Sequence, residues 1–137
     1  MKGAGVNVRI PAAVIADMLA HARAESPNEC CGLLVGRRGV VTRAVRARNL
    51  EAGPTRYLID PQDHIDAMKA AREEGLQVVG AYHSHPAHPA GAPVPSPSDI
   101  AEASGGPDFL YVIVAPMTGT VGAFFVDHGE VIAAKLG

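Results

Sequence analysis

The stretch 76-LQVVGAYHSHPAHPAGAPVPSPSD-99 holds the pattern that decides the fold. Residues 76–83 are rich in β-branched side chains and predict a strand. Side chains two residues apart on a strand point to the same face, so His83 and His85 can converge on one point at the end of that strand. A proline-rich loop follows, and the stretch closes on Ser96 and Asp99.

The two histidines and an acidic residue downstream form a candidate metal site. Two histidine nitrogens and one carboxylate oxygen make a catalytic zinc set, with the fourth position left to water. Asp99 is the obvious carboxylate, because a proline-rich loop folds back to present it with less chain entropy to lose. Glu102 is the rival ligand. Histidines at strand ends are also common without a metal, so the pair alone leaves both interpretations open.

Hydrolysis at such a site needs a base as well as a metal. Zinc lowers the pKa of its water to roughly 7, but another group must take the proton and pass it to the leaving amine. Glu29 is a candidate, since it lies after a turn and just before an apolar strand; the alternative is a surface carboxylate in that turn. Ser96 either caps a short helix through its Oγ or donates a hydrogen bond to the oxyanion of a tetrahedral intermediate.

The rest of the chain predicts one α/β (α+β) domain over residues 1–137, with a mixed β-sheet flanked by helices. The order of elements, α-β-β-β-α-β-α-β-β-β, contains no internal repeat or linker. The predicted elements besides 76–83 are a helix over 10–24, strands over 33–36, 40–47 and 57–59, a helix over 61–74 that Asp60 caps, a short helix over 96–103, a buried strand over 109–115, and a closing hairpin over 120–126 and 131–135.

Composition and charge weigh against several classes of partner. Hydrophobic residues make up 47% of the 137 residues and the formal net charge is −2, so no basic field is present to hold nucleic acid or an anionic membrane. No apolar run approaches the length that spans a bilayer. We therefore expect neither nucleic acid nor a membrane as a partner.

The cysteines and the apolar segment near the start indicate the cellular compartment. Cys30 and Cys31 are adjacent and bond to each other only through a strained ring, so we expect two free, buried thiols in a reducing cytoplasm. The segment 10–24 is predicted as a helix rather than a secretory signal, because Asp17 interrupts its apolar run. Both features predict a cytoplasmic protein.

Taken together, Glu29, 83-HSHP-86 and 96-SPSD-99 resemble the signature of the JAMM (MPN-plus) zinc metalloproteases. That signature is an upstream glutamate, then His-Ser/Thr-His-Pro, then Ser-x-x-Asp. The stretch 27-PNECCGLLVG-36 resembles the segment that carries the family's glutamate, and 57-YLIDPQDHI-65 resembles the small bacterial members. The resemblance covers most of the chain.

Position by position, the resemblance implies that His83, His85 and Asp99 bind one zinc ion. It implies that Glu29 is the general base and acid and that Ser96 is the oxyanion donor. The fold it implies is a mixed sheet between helices, similar to that of cytidine deaminases. The implied substrate is a ubiquitin-like or sulfur-carrier protein, cut at a peptide or isopeptide bond at its C-terminal Gly-Gly tail, which would add as a strand beside a sheet edge.

One feature departs from the family's pattern. Ten residues separate His85 from Ser96, which is more than the usual spacing. The additional residues lie at the tip of the loop, so we expect a bulge there rather than loss of the site. His88 is then a loop histidine that could approach the metal.

Three other functions compete with this interpretation. In a non-catalytic MPN-type binding scaffold some ligands would be missing, whereas all five motif positions are filled here. A zinc deaminase needs His-x-Glu and Pro-Cys-x-x-Cys, and the only cysteines of this chain are adjacent. A serine hydrolase centred on Ser84 needs a Gly-x-Ser-x-Gly elbow, which residues 81–85 lack.

Overall fold

The computed structural model describes residues 6–86 and 93–137. His88 and the tip of the long loop, where the bulge is predicted, lie outside the described residues. The helices are α1 (Ala12–Glu25), α2 (Pro61–Glu73) and α3 (Pro97–Glu102). The strands are β1 (Asn7–Val8), β2 (Cys31–Arg37), β3 (Val40–Ala47), β4 (Gln77–Ser84), β5 (Leu110–Ala115), β6 (Thr120–Asp127), β7 (Glu130–Ala133) and β8 (Lys135–Leu136).

Six strands form a mixed sheet in the order β3-β2-β4-β5-β6-β7. β4 and β5 pair in parallel, and the other neighbouring strands of this sheet pair antiparallel. A parallel pair cannot be joined by a tight turn and needs a crossover connection, which here contains α3. The end of β4 therefore lies in the middle of the sheet, and the predicted mixed sheet flanked by helices is confirmed.

The two faces of the sheet are covered by different helices. Val14 and Met18 of α1 pack in the larger core together with Leu34 of β2. The neighbouring residue of that strand, Leu33, packs against Ala67 of α2 in a smaller core. Consecutive strand residues point to opposite faces, so α1 and α2 lie on opposite sides. β5 is buried along most of its length, as its continuous apolar run predicts.

The ends of α2 follow the predicted local chemistry. The Asp60 side chain accepts a hydrogen bond from the Gln62 N–H at 2.8 Å, and Pro61 occupies the first helical position. The chain leaves the helix through Gly75, whose φ is +73°, a value that favours glycine.

Two parts of the fold differ from the sequence prediction. The strand predicted over 57–59 was wrong, because this segment makes only an isolated bridge between Ile59 and Asn49. The Asn49 side chain, and not a neighbouring strand, binds the Leu58 N–H. Short β1 and β8, which pair in parallel with each other, were not predicted, since two residues carry no periodic signal. No helix within the described residues is long and apolar enough to cross a membrane.

Candidate metal centre

His83 occupies the end of β4, where the sheet holds it on both sides. It pairs with Cys31 on β2 and with Ile113 on β5, and its side chain is buried. The Tyr57 ring stacks on its imidazole, with centroids 4.4 Å apart and planes 19° from parallel. Burial lowers the pKa of His83, so the imidazole is neutral near pH 7 and offers a lone pair to a metal.

Three possible ligand atoms converge just beyond the end of β4. The Nε2 atoms of His83 and His85 lie 3.2 Å apart, and Asp99 Oδ2 lies 3.1 Å from the first and 3.2 Å from the second. We call this arrangement the ligand triangle. Burial raises the pKa of Asp99, but hydrogen bonds with both histidines more than offset this, so its pKa lies well below the usual range and the group is ionised.

Hydrogen bonds alone cannot satisfy all three sides of the ligand triangle. A neutral imidazole carries one ring proton. If both Nε2 atoms are protonated, both N–H groups can donate to Asp99 Oδ2, but their protons then oppose each other across the 3.2 Å between the two nitrogens. If one is not, its lone pair faces the Asp99 carboxylate. A cation between the three atoms resolves this conflict, because each atom then presents a lone pair to a positive charge.

Asp99 is directed at the triangle by the first turn of α3. The Asp99 N–H donates to Ser96 Oγ at 3.1 Å, and the Ser96 N–H donates to Asp99 Oδ2 at 2.9 Å. This reciprocal capping box fixes the oxygen that points to the histidines. The predicted cap at Ser96 is confirmed. Glu102, the predicted rival ligand, is exposed at the end of α3 and is not one of the three converging groups.

Glu29 is buried beside the triangle, with only 6% of its surface exposed. Its Oε1 has no hydrogen-bond partner among the described residues. Burial raises the pKa of Glu29 to about 7, while His85 lowers it in part and Asp99 raises it further, so its carboxyl group lies within range of the triangle's charges. The interpretation of Glu29 as a surface carboxylate was wrong. A carboxyl group with a pKa near neutrality can both take and return a proton.

Comparison with known proteins agrees with this geometry. The family described as prokaryotic homologs of the JAB domain matches residues 11–127. The chain belongs to this prokaryotic JAB-domain family. It is 38% identical over 130 residues to a probable TtuB-protein conjugate cleaving protease from Thermus thermophilus, covering 94% of this chain and 82% of the relative.

Further relatives of this JAB-domain protein are also named as enzymes. A desampylase from Haloferax volcanii is 37% identical over 106 residues, covering 72% of this chain and 73% of the relative. A CysO-cysteine peptidase from Mycobacterium tuberculosis is 34% identical over 116 residues, covering 83% and 77%. The predicted family and the predicted class of enzyme, a peptidase, are confirmed.

Solved structures show the same fold. A protein from Desulfitobacterium hafniense superimposes with a TM-score of 0.83 and 33% identity over 95% of this chain and 91% of that one. A JAB1/MPN domain protein from Archaeoglobus fulgidus gives a TM-score of 0.58 with 18% identity, over 98% and 100% of the two chains. The second likeness concerns the fold alone.

Ser84, between the two histidines, joins the Glu29 segment to β4 of the JAB domain. Its Oγ accepts the Cys30 N–H at 2.8 Å, and its own N–H donates to the Cys30 carbonyl at 3.2 Å. The side chain is fully buried, so a hydroxyl used in this way is a poor nucleophile, which counts against a serine hydrolase.

Burial raises the pKa of Cys30 to about 11 and that of Cys31 to about 12, so both free thiols stay protonated as small buried groups.

Two residues of the site were not predicted from the sequence. Tyr57 stacks on His83, as described above, and the Asn49 side chain donates to the Glu29 carbonyl at 3.0 Å. The available signal was an asparagine at the end of a strand, followed by the turn-forming sequence 51-EAGPT-55, which is typical of a loop anchored by an amide side chain.

Proposed function

We propose that this JAB-domain protein is a zinc-dependent peptidase that cuts a peptide or isopeptide bond at the C-terminal Gly-Gly tail of a ubiquitin-like or sulfur-carrier protein. The observation that carries the proposal is the position of the Glu29 carboxyl group, buried and with one unpartnered oxygen, beside the ligand triangle of His83, His85 and Asp99. A metal site alone is compatible with a structural role, whereas a neighbouring carboxyl group with a pKa near 7 supplies proton transfer.

The dimensions of the triangle support zinc as the metal. Tetrahedral zinc lies about 2.0–2.1 Å from nitrogen and oxygen ligands, so two of its ligands are about 3.4 Å apart. The three sides of the triangle measure 3.1–3.2 Å. Zinc would therefore require only a small outward movement of His83, His85 and Asp99, and three protein ligands leave the fourth position open as in catalytic sites.

The residues around the triangle have distinct chemical roles. Zinc, when bound, supplies a Lewis acid and lowers the pKa of water. The Glu29 carboxylate would take a proton from the attacking water at its unpartnered oxygen and return it to the leaving amine. In the metal-free protein burial raises the pKa of Glu29 to about 7, so its carboxylate accepts a proton more readily than an exposed carboxylate does.

In this proposal Ser96 would stabilise negative charge on the carbonyl oxygen of the substrate. Its Oγ already accepts the Asp99 N–H, and it lies 3.1 Å from the Ser98 Oγ. If Ser98 donates to Ser96, the Ser96 proton is left for the developing oxyanion, since a hydroxyl has one proton and two acceptor lone pairs. A donor aimed at the oxyanion acts only as the charge develops.

The names of the relatives support the substrate class. They are a TtuB-protein conjugate cleaving protease, a desampylase and a CysO-cysteine peptidase. An extended tail of a partner protein can bind by adding a strand to an exposed sheet edge. β3 is an edge strand of the sheet, and Ala47 at its end pairs with Cys31, the strand partner of His83.

Cleavage of a defined substrate tests the proposal. Zinc-loaded protein is incubated with sulfur-carrier proteins that carry C-terminal extensions, and intact masses are followed. We expect a cut directly after the terminal Gly-Gly, and no cut when this pair is replaced by Ala-Ala. Glu29→Gln serves as the zinc-binding, inactive control. Binding of the carrier without cleavage by the zinc-loaded wild type would favour the non-catalytic scaffold instead.

A further inference from the structure

We propose that Asn49 is a positioning residue that holds the proposed base and the buried histidine ligand in fixed relation. Its side chain joins the backbone of Glu29 to the loop whose Tyr57 ring stacks on His83. The inference rests on the proposed function, because it concerns the same site.

The Asn49 amide makes four hydrogen bonds, all to backbone groups. Its Nδ2 donates to the carbonyls of Glu29 at 3.0 Å and Arg56 at 3.1 Å. Its Oδ1 accepts the N–H groups of Glu51 and Leu58, each at 2.9 Å. A primary amide has two donor hydrogens and two acceptor lone pairs, so the whole capacity of the group is used. The flipped amide would oppose like groups at all four contacts, which fixes its orientation.

The loop of residues 50–58 is held mainly by these bonds. Its ends meet through one backbone hydrogen bond, from the Leu50 N–H to the Leu58 carbonyl at 2.8 Å. Midway, the Gly53 carbonyl accepts the Glu29 N–H at 2.8 Å. Glu29 is thus bound on both sides of its backbone, by Asn49 at its carbonyl and by the 50–58 loop at its N–H. Loss of the Asn49 amide would loosen both attachments together.

The same loop also restrains the proposed ligand. The last torsion of a histidine side chain is broad, so the imidazole plane of His83 is not set by its rotamer alone. The Tyr57 ring covers one face of it at 4.4 Å. Because the Leu58 N–H next to Tyr57 is bound by Asn49, the position of the aromatic ring depends on that amide.

Three variants separate this role from general stabilisation. Asn49→Ala removes all four bonds. Asn49→Asp keeps an oxygen acceptor for Glu51 and Leu58 but removes the donor to Glu29. Thr42→Val is the matched control, because Thr42 lies on β3, the strand that precedes Asn49, and its Oγ1 donates to the Val35 carbonyl at 3.0 Å.

Amide hydrogen exchange of the metal-free protein is the first measurement. In Asn49→Ala we expect faster exchange at the amides of Glu29, Glu51 and Leu58, about tenfold or more, because exchange reports local opening. In Thr42→Val these three amides should exchange as in the wild type. Unchanged exchange at all three in Asn49→Ala would overturn the proposal without reference to catalysis.

Steady-state kinetics of the zinc-loaded proteins is the second measurement. For Asn49→Ala and Asn49→Asp we expect kcat to fall about tenfold to a hundredfold, since displacement of a catalytic group by about 1 Å has effects of that size. KM and the zinc content should stay close to the wild type, and Thr42→Val should keep its kcat. Equal kcat losses in Asn49→Ala and Thr42→Val, or full activity of Asn49→Asp, would contradict the positioning role. An inactive wild type would instead reject the proposed function, and hydrogen exchange would still decide whether Asn49 holds Glu29.

Discussion

Ser96 and Asp99 hold each other through two hydrogen bonds, and one of them ends on the Asp99 oxygen that faces both histidines. The helix cap and the candidate ligand are therefore parts of one structure. A substitution at Ser96 should therefore change three things at once: the stability of α3, the orientation of the Asp99 carboxylate, and the hydroxyl proposed to donate to the oxyanion.

Ser96→Ala should lower both stability and activity. Loss of an N-cap serine costs about 1 kcal/mol of unfolding free energy, and loss of one oxyanion donor lowers kcat about a hundredfold to a thousandfold. Urea unfolding and kcat at saturating zinc measure the two effects. Ser96→Thr, which keeps the hydroxyl, should restore most of both, and recovery of full activity in Ser96→Ala by zinc alone would leave Ser96 only its capping role.

His83→Ala should abolish zinc binding and activity together. The substitution removes one of the three candidate ligand atoms at a buried position. Metal analysis should give about one zinc per chain for the wild type and close to none for the variant. His128→Ala is the control, since that imidazole is 94% exposed at the opposite end of β6 from Thr120 and should leave the zinc content unchanged.

Glu29→Gln should separate metal binding from catalysis. The amide preserves the shape of the side chain but cannot accept and return a proton, so kcat should fall about a hundredfold to ten thousandfold. The zinc content should stay at the wild-type value, because Glu29 is not part of the ligand triangle. Activity within a few-fold of the wild type would remove Glu29 from its proposed role.

The same variant should change how the stability of the metal-free protein depends on pH. Burial raises the pKa of Glu29 from 4.5 to about 7 in the folded state, so the folded state binds this proton more tightly than the unfolded chain does. This contribution is complete below pH 4.5 and is lost as the pH rises through 7. Glu29→Gln has no titrating group at this position, so it does not lose this stability as the pH rises. Relative to the wild type, it should therefore gain about 3 kcal/mol of unfolding free energy between pH 4.5 and pH 8.

Urea unfolding in the presence of a chelator at the two pH values checks this gain. Asp63→Asn is a suitable comparison with the opposite pH dependence, because hydrogen bonds with Arg48 lower the pKa of that half-buried carboxylate and its stabilising contribution is present at high pH. If the difference in unfolding free energy between Glu29→Gln and the wild type is the same at both pH values, Glu29 has the same pKa in the folded and unfolded states.

Local patterns account for the predicted convergence of His83, His85 and Asp99. His83 and His85 converge because alternate strand residues share a face, and Asp99 is aimed by a Ser-x-x-Asp cap that forms within one helical turn. The residues alone left Glu29 ambiguous. Its burial depends on the pairing of β2 with β4, a contact between residues far apart in the chain, and only the family resemblance singled it out.

The missed features share a different cause. Residues 57–59 carry the composition of a strand, but the Asn49 side chain binds the Leu58 N–H that a neighbouring strand would otherwise bind. Asn49 contacts Glu29 and Tyr57 contacts His83. The sequence pattern around Asn49 and Tyr57 does not predict these contacts, because the partners lie far away in the chain.

The crossover between β4 and β5 has a consequence for how this enzyme class can diversify. On one side of the long loop, the His85 N–H donates to the Val114 carbonyl at 3.0 Å, and on the other side Ser96 and Asp99 lock together. Each end of the loop is therefore hydrogen-bonded to the domain independently of the other. Residues can be inserted or deleted between these two ends while the candidate ligand atoms keep their positions. The length of this loop can therefore differ between relatives without displacing the candidate ligand atoms.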